Sequence, residues 1–142
     1  MKKAYCNSCD KDVNYILKEE IQNATIDGIT FPYVFTQAYC KKCGEPVWPH
    51  SVGKLNDISL YDEYKKRVGL LTSKEIIEIR KKLGLTQEGL AREMGCGLKT
   101  ITRYENGGVQ DKAFDNHIRC LEEIYDLKQF IKTKALKLKT EH

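Results

Sequence analysis

Two Cys-x-x-Cys pairs, Cys6-Asn7-Ser8-Cys9 and Cys40-Lys41-Lys42-Cys43, restrict what this chain can fold into more than any other feature of it. Each pair puts two sulfurs on one tight turn, and two such turns supply four thiolates for a tetrahedral zinc with Zn–S bonds of about 2.3 Å. Thirty residues lie between the pairs, so the segment between them has to lead the chain back to where it began. A disulfide framework would need an oxidising compartment. The N-terminus MKKAYCNSCD has no apolar run that could serve as a signal peptide, and no stretch of ~18 apolar residues occurs. The expectation is a cytoplasmic chain, not inserted in a membrane, with reduced thiols. A redox Cys-x-x-Cys and plainly buried cysteines are the competing readings, but a thioredoxin-type site needs one pair in a βαβ context and gains nothing from a second. With all four positions taken by Cys6, Cys9, Cys40 and Cys43, no position stays open for water or substrate, so one structural ion per chain is expected. Cys96 and Cys120 stand alone and read as core or surface thiols. His50, beside Pro49, reads as a loop histidine uninvolved in the complete set.

The chain of 142 residues divides into two small halves with an α+β organisation. From Val13 to Tyr39, β-branched and aromatic residues are frequent, and Ile29, Phe31, Tyr33 and Phe35 alternate at period two after Asp27-Gly28. Asp-Gly between two such runs signals a hairpin, because both central residues of a type I′ turn need positive φ. Pro32 removes one ladder donor and favours a strand edge. From about Ser59 a short connecting helix is expected, ending near Gly69. The expected domains are a zinc-bound, β-rich module over 1–68 and an all-α domain over 69–142.

The second half carries the stronger helix signals. Thr72-Ser73-Lys74-Glu75 forms a capping box, Ile76, Ile79 and Leu83 supply a buried stripe, and Gly84 ends the helix. Thr86 is a good N-cap for a helix holding Leu90, Ala91 and Met94, and Gly95-Cys96-Gly97 makes a turn. A second helix from Leu98 to about Glu105 buries Ile101 and Tyr104, which leaves Leu98, Lys99, Thr102 and Arg103 facing outward. That is the geometry of a recognition helix in a major groove, where Arg103 can contact guanine O6 and N7 and Lys99 offers a point charge. The net charge is only +4, spread as 10 cations against 9 anions over 1–68 and 14 against 11 over 69–142. This is no polycation that coats nucleic acid indiscriminately, and the second half suits an anionic partner no better than it suits water.

The segment LTQEGLAREMGCGLKTITRYENG resembles the Cro/repressor-type (lambda-repressor-like) helix-turn-helix family through Thr86, Gln87, Leu90, Ala91, Gly95, Thr100, Ile101, Arg103, Glu105, Asn106 and Gly107. The resemblance implies phosphate contacts at Gln87, Gly97 and Asn106, base contacts at Leu98, Lys99 and Arg103, and an internal salt bridge between Arg80 and Glu105. Gly97 departs from the family's usual polar residue, leaving a backbone N–H but no hydroxyl. Leu98 departs as well, and suits a thymine methyl or a sugar. The joint pattern of C-x-x-C, C-x-x-C-G and G-x-G-x-x-T-I-T-R-Y-E-N-G is similar to the MqsA-type antitoxin family of zinc-finger/helix-turn-helix proteins. That resemblance implies a zinc module that binds a toxin, and a C-terminal half that dimerises on a palindromic operator and represses the shared promoter. The alternative is a zinc-stabilised transcription regulator without a toxin partner. An enzyme is not expected, since no Ser/His/Asp set, phosphate loop or open metal site is present. After Gly108, the run Ala113, Phe114, Ile118, Leu121, Ile124, Tyr125 and Ile131 keeps helical spacing and serves core packing, a dimer surface, or both. The tail from Leu127 to His142, with five lysines and one glutamate, is either frayed or placed to touch phosphates.

Overall fold

Asp27 and Gly28 both adopt positive φ, 49° and 77°, as a two-residue type I′ turn requires. They join the two longest strands of the chain, of which a computed structural model describes residues 3–140. Those strands are β2 (Lys11–Ile26) and β3 (Ile29–Cys40), flanked by β1 (Lys3–Cys6) and β4 (Pro46–Val47) in an antiparallel sheet of order β1-β2-β3-β4. The β2–β3 register runs without a bulge from Ile26 opposite Ile29 to Tyr15 opposite Cys40. Phe31 and Ala38 therefore point to opposite faces, and both are buried. The period-two reading captured only the face of Phe31. Near the sheet's other end the inward residues are small or cysteine: Ala4, Cys6, Val13, Ala38, Cys40 and Val47 form one apolar cluster with Val52.

Pro32 lies where no strand continues beyond β3, because β4 pairs only with Ala38 and Tyr39. The free edge is covered by α1 (His50–Val68), a 19-residue helix that starts nine residues earlier than the Ser59 expected from its sequence. Its polar residues caused the difference, for they face the sheet rather than water. Asn56 accepts from the Thr36 N–H and donates to the Thr36 carbonyl, both at 2.8 Å, and the Ser59 hydroxyl donates to the Val34 carbonyl at 2.7 Å. These side chains occupy hydrogen-bonding positions that a further strand would have filled, which blunts the edge against unwanted pairing. Near the hairpin tip, Tyr64 packs against Phe31 and donates to Asp27 Oδ2 at 2.8 Å.

Four helices follow α1: α2 (Ser73–Lys82), α3 (Gln87–Met94), α4 (Leu98–Glu105) and α5 (Lys112–Thr140). Two compact units result. Among the described residues, one extends to Ser73 and includes Asn106–Gly108, and the other comprises Lys74–Glu105 and the residues from Val109 to Thr140. In the first unit the buried Lys65 ammonium and the Gly107 N–H both donate to Ser73 Oγ, at 3.2 and 3.0 Å, while the Ser73 N–H donates to Asp62 at 2.8 Å. Gly107 has φ 99°, and a Cβ there would stand 3.2 Å from Ile58 Cα and 3.3 Å from the Asp57 carbonyl. Gly107→Ala should therefore destabilise the protein by about 1–3 kcal/mol through backbone strain. A urea midpoint equal to that of the parent would show that the loop relaxes at no cost.

In the second unit Ile76, Ile79, Leu90, Ala91, Ile101, Tyr104 and Ile118 are buried. Gly84 ends α2 at φ 71°, with the Leu85 N–H closing onto the Arg80 carbonyl at 3.1 Å, the bond pattern of a Schellman cap. Here α5 runs for 29 residues, to Thr140; the end of the tail, Glu141 and His142, lies outside the described residues.

Candidate metal centre and nucleic-acid interface

The meander brings both Cys-x-x-Cys turns to one end of the sheet, the first between β1 and β2, the second between β3 and β4. The two turns are built alike. The Asp10 N–H closes onto the Cys6 carbonyl at 2.8 Å and the Gly44 N–H onto the Cys40 carbonyl at 2.9 Å, with φ of 53° at Asp10 and 77° at Gly44. Glycine adopts that conformation freely, and an aspartate tolerates it less well. A hydrogen bond from the Tyr5 hydroxyl to the Asp10 carboxylate holds the first turn.

The four sulfurs of Cys6, Cys9, Cys40 and Cys43 lie within 4.8 Å of one another, with Cys6 to Cys43 at 3.5 Å and Cys9 to Cys40 at 3.9 Å. Bonds of 2.3 Å in a tetrahedron put neighbouring sulfurs about 3.8 Å apart, so the set fits a metal ion that takes four thiolates. The Lys42 and Cys43 N–H groups point at Cys40 Sγ from 3.4 and 3.5 Å. These donors, that of Cys43 foremost, lower the Cys40 thiol to about 6. The Cys9 thiol moves the opposite way, to about 12, chiefly because it hydrogen-bonds to the Cys43 sulfur. Cys6 and Cys40 are buried against the small apolar cluster, and Cys43 is exposed. His50 opens α1 and is not among the grouped ligands.

Lys3, Lys11, Lys41 and Lys42 line one surface cleft at this end of the sheet. Lys11 is held below its ordinary pKa mainly by the nearby Lys42 ammonium. A divalent ion with four thiolates keeps two net negative charges, and these lysines are placed to offset them. Sequence reasoning passed over the cluster because its members are spread over three loops and strands; Lys41-Lys42 inside the second pair was the available signal.

The helix-turn-helix is α3 and α4. Thr86 caps α3, its hydroxyl accepting from the Gly89 N–H at 3.0 Å, and Gly95 ends it in the left-handed region at φ 68°. Ile101, Tyr104 and Glu105 form the buried side of α4, while Leu98, Lys99, Thr102 and Arg103 are exposed on the other. The Arg103 guanidinium lies over the Tyr104 ring at 5.0 Å, and Tyr104 in turn meets Phe114 edge-on at 4.7 Å. The Thr102 hydroxyl donates to the Leu98 carbonyl at 3.1 Å. Arg80 grips Glu105 with two bonds, Nε to Oε2 at 2.8 Å and Nη2 to Oε1 at 3.0 Å, and also donates to the Leu85 carbonyl at 3.2 Å. Gln87, the first residue of α3, donates to the same Glu105 carboxylate at 3.1 Å. Gly97 is exposed just before α4, and Asn106, exposed just after it, packs with the first unit. Burial raises the half-buried Cys96 thiol, and Cys120 is exposed on α5.

Sheet, thiols and helices together define a class of protein: a four-cysteine metal-binding β module followed by a helix-turn-helix. Residues 4–129 match the model of a family described as the antitoxin component of the bacterial toxin-antitoxin system, MqsA. The match covers nearly the whole chain, and the protein belongs to that family. No curated protein matches it significantly. Membership implies a toxin as partner. Among the described residues no helix is long and apolar enough to cross a membrane.

Proposed function

We propose that this protein is the antitoxin of a type II toxin–antitoxin pair, that it holds one structural zinc per chain on Cys6, Cys9, Cys40 and Cys43, and that it represses its own operon as a DNA-bound homodimer. Residues 1–68 form the zinc module that binds the toxin. Residues 69–142 form the DNA-binding and dimerisation domain, in the cytoplasm and without enzymatic activity. The family match over residues 4–129 carries the antitoxin reading. Co-expression with the adjacent open reading frame tests it. Toxicity that this chain relieves supports the reading; a harmless neighbour leaves a zinc-stabilised regulator without a toxin partner.

The DNA reading is supported by the exposed row Leu98, Lys99, Thr102 and Arg103 on a helix whose other side is buried. Helices so presented enter a major groove with their first turns at the base edges, and a two-fold dimer reads a palindrome with half-sites one turn, about 34 Å, apart. Gln87, Gly97 and Asn106 contact phosphates in this docking, and the Arg80–Glu105 pair fixes α4 without touching DNA. Arg103→Ala should weaken operator binding by about 1–3 kcal/mol, roughly 5- to 150-fold, and relax the preference at one base pair. Gel-shift titration against the parent operator and its single-base variants measures both. Unchanged affinity with an unchanged salt slope overturns this docking.

A further inference from the structure

Helix α5 extends far past the core it helps to form. Its last buried residue is Ile118, and residues 126–139 are all exposed. A helical end of this length is only marginally stable in water unless its apolar side is packed.

That apolar side has a definite period. His117, Cys120, Ile124, Leu127, Ile131, Lys134 and Leu138 follow one another at spacings of three and four and are all exposed, the aliphatic ones strongly: Ile124 49%, Leu127 57%, Ile131 65% and Leu138 61%. These are the a and d positions of three heptads, with His117, Ile124, Ile131 and Leu138 at a and Cys120, Leu127 and Lys134 at d. The inward residues Ile118, Leu121 and Tyr125 lie on another side of the helix, as does Lys82, which pairs with Glu122 and Asp126 at 3.2 and 2.8 Å. Ile124 also lines a cleft with Leu83, Leu85 and Leu121; the row from Leu127 to Leu138 lies beyond the surface that α5 uses in its own unit.

We propose that this row pairs with the same row of a second copy of the chain, as a parallel two-stranded coiled coil over His117–Leu138. Two features select that occupant. At the centre of the row Ile124 and Ile131 stand at a with Leu127 at d, the combination that favours two parallel strands. In a parallel pair the g residue of one helix meets the following e residue of the other, which sets Glu123 against Lys128 of the second copy, opposite in charge, and Phe130 against the small Ala135. Lys134, a charged residue at a d position, weakens the seam there and keeps its ammonium in water by extending its stem along it. The inference rests on the homodimer reading above and supplies its interface.

Sedimentation equilibrium of the full-length, zinc-loaded protein tests both levels. The parent should dimerise, and Leu127→Asp with Ile131→Asp should raise the dimer dissociation constant about 100-fold or more, equal to ~2.7 kcal/mol. Both sites are exposed in the monomer, so its unfolding midpoint should hold, while the far-UV circular dichroism should lose at most the signal of the unpaired end of α5. Glu123→Lys should weaken the dimer, and adding Lys128→Glu should restore it. In a Cys96→Ser background, mild oxidation should join Cys120 to Cys120 of the second copy, since d positions face each other in a parallel pair. A dimer that survives the aspartates, or one that yields no Cys120 cross-link, overturns the coiled coil and leaves the homodimer standing. A monomeric parent overturns both.

Discussion

Cys40→Ser should abolish stoichiometric metal binding and leave the N-terminal half open to protease while α2 to α5 stay folded. The sulfur it removes is the best prepared of the four. Lys42 and Cys43 aim their N–H groups at it, and it is the thiol brought down to about 6. A serine hydroxyl does not ionise near neutral pH and cannot replace it. The magnitudes decide the outcome. Structural zinc contributes about 10–16 kcal/mol to the folding of small modules, whereas fully burying a large aliphatic side chain contributes only about 1.5–3 kcal/mol. Behind the site lie two alanines, three valines and two of the ligands themselves, too little apolar surface to hold the sheet's end once the metal is gone. Acid should act in the same direction. Cys40 lies below the ordinary thiol value of 9.0 in the fold, so its contribution is complete above that value and is lost as pH falls through about 6. Metal content by atomic absorption and limited trypsin digestion of parent and variant provide the test. A metal-free variant whose first 50 residues resist trypsin would show that no metal is needed to hold this end of the sheet.

The parts of this protein that could be read from its sequence are those in which the chemistry is local. Two residues make the hairpin turn and one residue after each cysteine pair closes its loop, so Asp27-Gly28, the Cys-x-x-Cys loops, the Thr86 cap and Gly95 all announce their conformations. Grouping Cys6 and Cys9 with Cys40 and Cys43 needed only the assumption that the intervening segment is a hairpin. What escaped depends on partners distant in sequence. The first nine residues of α1 escaped because Asn56 among them bonds the β3 edge, as Ser59 just beyond them does, and no residue near them signals this. The second buried face of the sheet is made of Ala38 and Cys40, too small to register as a hydrophobic alternation. The lysines around the metal site converge only after folding. Along α5 the spacing was visible, but the division between an inward side at Ile118 and an outward row at Ile124 and Leu127 required burial to separate them.

Glu105→Ala should destabilise the helix-turn-helix by about 3–5 kcal/mol, a large part of the 5–15 kcal/mol typical of a domain. The side chains of Arg80 and Glu105 are only 14% and 3% exposed, so neither charge has much recourse to water once its partner is removed. Truncating Glu105 costs both of its bonds to Arg80 and that from Gln87, and leaves the guanidinium its bond to the Leu85 carbonyl. The loss therefore exceeds that of an exposed ion pair, about 0–1 kcal/mol. Replacing both members by apolar residues of similar size, Arg80→Met with Glu105→Leu, should cost much less, because no charge is then left buried. A double-mutant cycle by urea unfolding reads the difference as a coupling energy. Since Glu105 is the last residue of α4, the loosened helix should also lose operator affinity, and the apolar pair should recover part of it with the refolded orientation. A coupling under about 1 kcal/mol would mean that solvent screens the pair, and that α4 is held by Ile101 and Tyr104 instead.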